Sequence, residues 1–216
     1  MNRNKLTRTA VIMAAAILIA DQVIKILVKT NMCLTEDLRV FDWFHIHFIE
    51  NEGFAFGMAL GGAAGKIALT LLRLVASVAI VWLIVRLIRR DGRPSLVLCL
   101  TLIVAGAVGN LIDSCFYGLI FNGSYPCVAT LFPPEGGYAP LLQGKVVDMF
   151  YFPLFEFVWP TWMPFVGGQH FEFFNAIFNL ADASITIGVA WLLIDQIFIA
   201  PKYSKSTENE AAEIEK

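Results

Sequence analysis

Two aspartates lie in strongly apolar sequence, which is an unusual setting for a charged side chain. Asp182 lies within FNLADASITIGVAW, residues 178–191, and Asp148 lies within KVVDMFYF, residues 145–152. A carboxylate near the middle of a bilayer costs about 2.5–3.5 kcal/mol even on a lenient insertion scale, so such residues usually serve a function. Two carboxyl groups that meet in a poorly hydrated site share one proton, which suits acid–base hydrolysis. The long separation in sequence leaves their proximity undecided at this point.

Polar residues and glycines occur at helical spacing along two of the apolar runs. On the last run they are Asn175, Asn179, Asp182 and Thr186. On the third run they are Gly106, Gly109, Asn110 and Asp113. Residues three or four apart share a helix face, and small residues let another backbone approach closely. Helix packing is therefore an alternative to catalysis for Asn110 and Asp113, while Asp21 and Lys25 at i,i+4 predict a structural ion pair.

Four apolar runs are long enough to cross about 30 Å of hydrocarbon. They cover residues 9–28, 67–88, 96–112 and 176–199 of a chain that is 57% hydrophobic, with a mean hydropathy of +0.67. We therefore expect an integral membrane protein that is mainly α-helical. A net charge of −2 without a basic stripe argues against binding to nucleic acid.

The basic residues predict the orientation of these spans, because positively charged flanks stay cytoplasmic. They flank the first run, fill the turn between the second and third, and follow the fourth: Arg3, Lys5, Arg8, Arg86, Arg89, Arg90, Arg93, Lys202 and Lys205. Both termini are then cytoplasmic, and segments 29–66 and 113–175 lie outside. We expect a retained first span, one membrane-embedded domain over 1–200 and a disordered tail over 201–216.

The sequence lacks the motifs of metalloproteases and serine hydrolases. The chain contains neither HExxH nor GxSxG, and its histidines show no metal-ligand spacing, so we expect no metal and no cofactor. His45 and His47 alternate along a strand-like stretch, which is typical of one face of an outer sheet. Cys115 and Cys127 fall in a predicted outer segment, where an oxidising compartment would permit a disulfide, although free thiols are the alternative.

Five blocks, in order, resemble the lipoprotein signal peptidase family, also called signal peptidase II. They are DQVIK at 21–25, ENEGFAFG at 50–57, GAVGNLID at 106–113, VVDMF at 146–150 and FNLADASI at 178–185. The resemblance implies a membrane aspartic endopeptidase whose catalytic pair maps onto Asp148 and Asp182. It also implies a site lined by Asp21, Asn51, Gly53, Asn110 and Asn179. Ser114 departs from the family pattern, which usually has an arginine there. Either Lys145 takes over that arginine's structural role, or the role is absent from this chain.

The resemblance further implies a four-helix membrane bundle with a small extracytoplasmic β-rich platform and a lid built from residues 31–66. Its implied substrate is a prolipoprotein that is cut before a cysteine bearing a diacylglyceryl group. Asp182 is expected two to three turns, roughly 12 Å, into the fourth span. That depth places the active site near the outer leaflet of the bacterial cytoplasmic membrane.

The segment MFYFPLFEFVWPTWMPF, residues 149–165, is too rich in proline to span a membrane as a helix. We expect it to lie at the membrane surface, with Trp159 and Trp162 at headgroup level, rather than to bind substrate lipid. A monomer that contacts membrane lipids suffices for the peptidase. The alternatives are a proton-coupled small carrier, which would also use intramembrane Asp and Asn side chains, and an inactive scaffold.

Overall fold

The computed structural model describes residues 2–53 and 62–200, and its fold is mainly α-helical. Within these ranges, four helices are long and apolar enough to cross a membrane: Arg3–Asn31, Gly62–Arg89, Pro94–Ile120 and Leu180–Phe198. The first two are α1 and α2. The predicted mainly α fold with four spans is confirmed. The predicted tail, the end of the ENEGFAFG block and part of the predicted lid lie outside the described residues.

The third membrane helix continues past residue 112, where the predicted span ends. It consists of α3 (Pro94–Ile112), a π-helical segment (Asp113–Tyr117) and α4 (Gly118–Ile120). The apolar residues after Asp113 extend the helix until Phe121 turns to an extended conformation. π-Helical turns inside α-helices frequently mark functional sites, and this one begins at a buried aspartate.

The fourth membrane helix, α5 (Leu180–Ile194), begins later than the predicted residue 176. The chain before it forms strand β6 (Ile177–Phe178), which pairs with another strand. A second π-helical segment (Asp195–Ile199) follows α5. The prediction that Asn175 and Asn179 lie on the same helix face as Asp182 is therefore wrong, because both asparagines precede the helix.

A four-stranded antiparallel sheet lies between these helices in sequence. Its strands are β1 (Asp37–Phe41), β2 (Phe44–Asn51), β3 (Val146–Tyr151) and β6, in the spatial order β1-β2-β3-β6. The histidine pair lies on β2, as the alternating pattern predicts, and Nδ1 of His45 lies 2.9 Å from Asp37 on β1. Two further strands, β4 (Phe155–Val158) and β5 (His170–Phe173), form a separate hairpin.

The chain divides into two compact units. Among the described residues, unit 1 comprises residues 2–20, 73–109 and 180–200, and unit 2 comprises residues 21–53, 62–72 and 110–179. The core of unit 2 is formed by buried side chains from α1, the sheet and the third membrane helix, among them Val28, Phe48, Tyr117, Val147 and Met149. The core of unit 1 contains Leu6, Ile84, Val97 and Leu100. The predicted single domain over 1–200 stays a prediction.

Candidate active site

Asp148 is buried in the middle of β3, with both carboxylate oxygens hydrogen-bonded to side-chain amides. Nδ2 of Asn51 donates to Oδ2 over 3.1 Å, and Nδ2 of Asn179 donates to Oδ1 over 2.6 Å. The pairing of β2 with β3 brings the first amide to the site, since Asn51 ends β2 opposite Val146. The pairing of β3 with β6 brings the second, because Asn179 directly follows β6. The sheet thus positions both donors.

The orientation of each amide is fixed by a group that can only donate. The backbone N–H of Gly53 donates to Oδ1 of Asn51 over 2.8 Å, so the NH₂ of Asn51 must face Asp148. This is an Asx turn, and Gly53 accommodates it with a positive φ of 86°. At the other amide, Nδ2 of Asn179 also donates to Oδ1 of Asn110 over 3.1 Å. The ammonium of Lys25 donates to that same oxygen over 2.8 Å. Because an ammonium group cannot accept a hydrogen bond, the oxygen of Asn110 must face Lys25, and Asn179 must turn its NH₂ group towards it.

Lys25 connects this chain of amides to two acidic side chains. Its Nζ lies 2.9 Å from Asp21 and 2.7 Å from Asp113, and all three side chains are buried. The predicted ion pair between Asp21 and Lys25 is confirmed. Asp113 belongs to it as well, and Gln22 donates to both carboxylates. A cation held between two carboxylates offsets the charge that burial of either one alone would leave uncompensated.

Asp182 lies in the first turn of α5, in unit 1, and is half-buried. The predicted depth of two to three turns is wrong, because the helix begins at Leu180. A negative charge at a helix N-terminus is stabilised by the helix dipole, by about 0.3–1 kcal/mol at an exposed site. Gly106 of α3 lies against this turn, since a Cβ there would clash with the carbonyl group of Ala181. The predicted role of Gly106 in close helix packing is confirmed.

The structure therefore brings together, within unit 2, most of the side chains that the sequence singles out: Asp21, Asn51, Gly53, Asn110, Asp148 and Asn179. Asp182 belongs to the other unit. The pairing of Asp148 with Asp182 stays a prediction.

A second cluster of charges, which sequence reasoning missed, surrounds Glu50. Its carboxylate lies 2.5 Å from Nζ of Lys29, accepts from the hydroxyl of Ser124 over 2.7 Å and lies 3.6 Å from Nζ of Lys145. Burial alone raises the pKa of Glu50, but Lys29, Ser124 and Lys145 together outweigh it and hold the pKa below its ordinary value. The spacing of Asp21, Lys25 and Lys29, which places all three on one face of α1, could have indicated that Lys29 is buried with the other two, although not that Glu50 is its partner.

Ser114 stands where the family usually has an arginine. Its hydroxyl donates to the backbone carbonyl of Asn110 over 2.9 Å, and the neighbouring Asp113 forms its ion pair with Lys25. Lys145 instead lies near Glu50 and Glu52, at 3.6 and 3.7 Å. The hypothesis that Lys145 takes over a role of the missing arginine gains nothing from these contacts.

The cysteines, all within the described residues, are free thiols. Cys115 is buried in the π-helical segment, whereas Cys127 is exposed in the following loop, so the disulfide that the sequence would permit does not form. Among residues 2–53 and 62–200, no group of three or more His, Cys, Asp or Glu side chains could hold a metal ion.

Four apolar helices and a buried aspartate held by two amides define a multi-pass membrane protein with a candidate acid–base site. A family model described as Signal peptidase (SPase) II matches residues 13–198. The chain belongs to the signal peptidase II family, and it is therefore a peptidase of the bacterial membrane. No comparison favours the proton-coupled carrier.

Two relatives illustrate the range of similarity. The lipoprotein signal peptidase of Porphyromonas gingivalis is 51% identical over 179 residues, which cover 82% of this chain and 78% of the relative. That of Amoebophilus asiaticus is 33% identical over 182 residues, covering 82% of this chain and 73% of the relative. A solved bacterial membrane enzyme structure, 24% identical, aligns with a TM-score of 0.58 over 88% of this chain and 94% of that one. This last likeness concerns the fold.

Proposed function

We propose that the chain removes the signal peptide from prolipoproteins whose cysteine carries a diacylglyceryl group, cutting immediately before that cysteine. Asp148 and Asp182 form the catalytic pair in this proposal, and Asp21, Asn51, Gly53, Asn110 and Asn179 build the site around it. The main support for the proposal is that two amides of fixed orientation donate hydrogen bonds to the buried carboxylate of Asp148. Family membership supplies the reaction class.

In this proposal the two acids have different roles. A carboxylate that accepts a hydrogen bond at each oxygen matches its ionised form, and each hydrogen bond to a charged group contributes about 1.5–3 kcal/mol. In this proposal Asp148 is therefore the base, and Asp182 holds the proton that the two carboxyl groups share.

The reaction then needs only the two side chains and a water molecule. Asp148 takes a proton from water as the water attacks the scissile carbonyl carbon, while Asp182 donates a hydrogen bond to the carbonyl oxygen. Asp182 passes its proton to that oxygen, and a tetrahedral diol forms. The proton on Asp148 then passes to the departing nitrogen as the C–N bond breaks, while Asp182 takes back a proton from a diol hydroxyl as the C=O bond re-forms. Both acids return to their starting protonation states when the products leave.

The position of Asp182 suits a substrate that is itself held in the bilayer. It lies in the first turn of a helix long enough to span the membrane, and thus near one membrane boundary. The arginines at the turn between α2 and α3 favour a cytoplasmic location for that turn. In the proposed topology both termini are cytoplasmic and the site faces the outer leaflet, where a diacylglyceryl group would hold the cleavage site at the same depth.

The remaining proposals concern organisation. Residues 1–200 act as one membrane-embedded peptidase, with the sheet as an extracytoplasmic platform and the region 31–66 as its lid. In this proposal the chain acts as a monomer that contacts membrane lipids. Residues 201–216 form a cytoplasmic tail.

Two purified variants test the catalytic pair. Asp148→Asn and Asp182→Asn are each incubated with a diacylglyceryl-modified precursor and with its unmodified twin, and the products are analysed by mass. Asp42→Asn serves as the control, because Asp42 is an exposed acid whose contact is with Arg39. We expect the parent and the control to release the signal peptide from the modified precursor alone, and neither site variant to do so.

The substrate and the pair are tested separately by this design. Cleavage of both precursors by the parent chain would refute the requirement for the lipid. Full cleavage by either site variant would refute the catalytic pair. Thermal unfolding of each variant in detergent shows whether lost activity reflects lost folding.

A further inference from the structure

The hairpin of β4 and β5 is one of the most aromatic parts of the described chain, and the proposed reaction does not use it. Phe155 stacks on Phe173 across the two strands, with ring centroids 4.7 Å apart and an angle of 5° between the ring planes. Phe157 pairs with Phe171 at 5.0 Å, and Trp159 packs edge-on against Phe157 at 4.8 Å. Because side chains alternate along a strand, these rings share one face of the hairpin.

The opposite face of the hairpin carries Glu156, Glu172 and His170 together with the apolar Val158, so it is mainly polar. Glu156 and Glu172 are directly opposite each other in the strand register, where like charges are unfavourable unless water or a partner relieves them. Nε2 of His170 lies 3.1 Å from Glu156, and the hydroxyl of Tyr151 donates to Glu172. Glu156 and His170 are well exposed. This face therefore belongs in water.

The aromatic face and the loop at the tip remain exposed. The loop between the strands presents Trp162, which is 78% exposed, and Phe165, which is 97% exposed. Phe155 and Phe173 are also exposed despite their stacking. An isolated two-stranded hairpin is only marginally stable in water, so an apolar face of this kind needs a cover.

A bilayer is within reach of this face. Only six residues, 174–179, separate Phe173 at the end of β5 from Leu180, the first residue of a helix long enough to span the membrane. The chain from Phe173 to Leu180 covers at most about 25 Å when it is fully extended. Tryptophan and other aromatic side chains are favoured at the boundary between headgroups and acyl chains, where one side is apolar and the other wet. A hairpin with one aromatic and one charged face matches that boundary.

We propose that the β4–β5 hairpin is a membrane-surface anchor that inserts Trp162 and Phe165 among the phospholipids and turns Glu156 and His170 towards water. Trp159 packs within the hairpin rather than at its tip, so Trp162 and Phe165 make the principal lipid contacts. The cover is membrane phospholipid, not the substrate. The anchor does not depend on the assignment of the catalytic pair.

Site-specific photocrosslinking tests this anchor. The photoreactive amino acid benzoylphenylalanine replaces Phe165 in one variant and Glu156 in a matched control on the polar face of the same hairpin. Each variant is reconstituted without substrate in bilayers of phosphatidylethanolamine and phosphatidylglycerol, illuminated and analysed by mass. We expect a phospholipid adduct at 165 that exceeds the adduct at 156 several-fold. Trp162→Ser, made in the Phe165 variant, should reduce the adduct at 165.

Each other outcome would overturn the anchor. Equal phospholipid adducts at both positions, or none, would mean that the tip does not insert selectively. An adduct at 165 that forms solely with added prolipoprotein would identify a substrate-binding surface instead. A crosslink between two copies of the chain would identify a dimer interface. Cleavage of a modified precursor in detergent should be unchanged by Trp162→Ser, and this separates failure of the anchor from failure of the catalytic proposal.

Discussion

Asn179 donates to Oδ1 of Asp148 over 2.6 Å and to the backbone carbonyl of Val147 over 3.3 Å. One amide thus holds both the side chain and the strand that carries it. Replacement of Asn179 by Ala removes a hydrogen bond to a charged acceptor, which contributes about 1.5–3 kcal/mol. Without this bond the carboxylate is no longer held in its reactive geometry, and a misplacement of about 1 Å can cost about a hundredfold in rate, so we expect kcat to fall by about ten- to a hundredfold.

Cleavage of a diacylglyceryl-modified precursor measures this effect, with kcat and KM determined separately. We expect the loss in kcat, because Asn179 acts on Asp148 rather than on the substrate. Asn31→Ala is the control, since Asn31 is an exposed asparagine at the end of α1. An unchanged kcat in Asn179→Ala would show that the amide does not position the carboxylate.

Lys25 is the second positioning residue, because its ammonium orients the amide of Asn110, which in turn orients the amide of Asn179. Lys25→Met removes the cation between two buried carboxylates, and breaking a buried ion pair costs about 3–5 kcal/mol. The double variant Lys25→Met/Asp113→Asn removes one of the two negative charges and should recover part of the thermal stability. It should not recover kcat, because the Asn110 amide still lacks the ammonium of Lys25, which fixes its orientation.

Thermal unfolding and cleavage of the two variants, together with Asp113→Asn alone, complete a double-mutant cycle. A positioning role also predicts that the acidic limb of the pH–rate profile moves in the double variant. Full recovery of kcat along with stability would reduce Lys25 to a structural residue.

The spans and the acidic residues could be predicted from the sequence, whereas the local structure around those residues could not. The apolar runs predicted four spans because length and hydropathy alone decide whether a helix can cross a bilayer. Asp21 and Lys25 were predictable as a pair because a helix brings i and i+4 together. Asp148 could be recognised as an acid in an apolar strand.

The bounds of the helices and the amide contacts could not be predicted. Ile177 and Phe178 suit a helix or a strand equally well, and their pairing with β3 decides the outcome. That pairing moves Asn179 off the helix and next to Asp148. Glu50 lies far from Lys29 and Ser124 in sequence, so spacing alone does not bring them together.

Glu50 makes the stability of the fold depend on pH. Its pKa is lowered in the folded state, so its contribution is present above the unfolded value of about 4.3 and is lost as the pH falls through the folded pKa. Glu50→Gln should therefore lower the thermal midpoint at neutral pH. The difference between parent and variant should shrink below about pH 4.

Thermal unfolding in detergent across this pH range measures that difference. Glu135→Gln is the control, because Glu135 is an exposed acid with a long contact of 3.5 Å to Asn122. A difference between parent and Glu50→Gln that stays constant with pH would contradict the charge-pairing role of Glu50.

Gly106 offers a test of how closely α3 must approach the first turn of α5. A Cβ at Gly106 would meet the side chain of Ile185 at 2.7 Å and would clash with the carbonyl of Ala181, next to Asp182. Overpacking of this kind costs about 1–3 kcal/mol. Gly106→Ala should lower the thermal midpoint and, because the turn that carries Asp182 must shift, should lower kcat as well. Gly123→Ala is the control, since its Cβ would have no neighbour closer than 3.9 Å. Equal behaviour of the two alanine variants would show that this turn tolerates displacement.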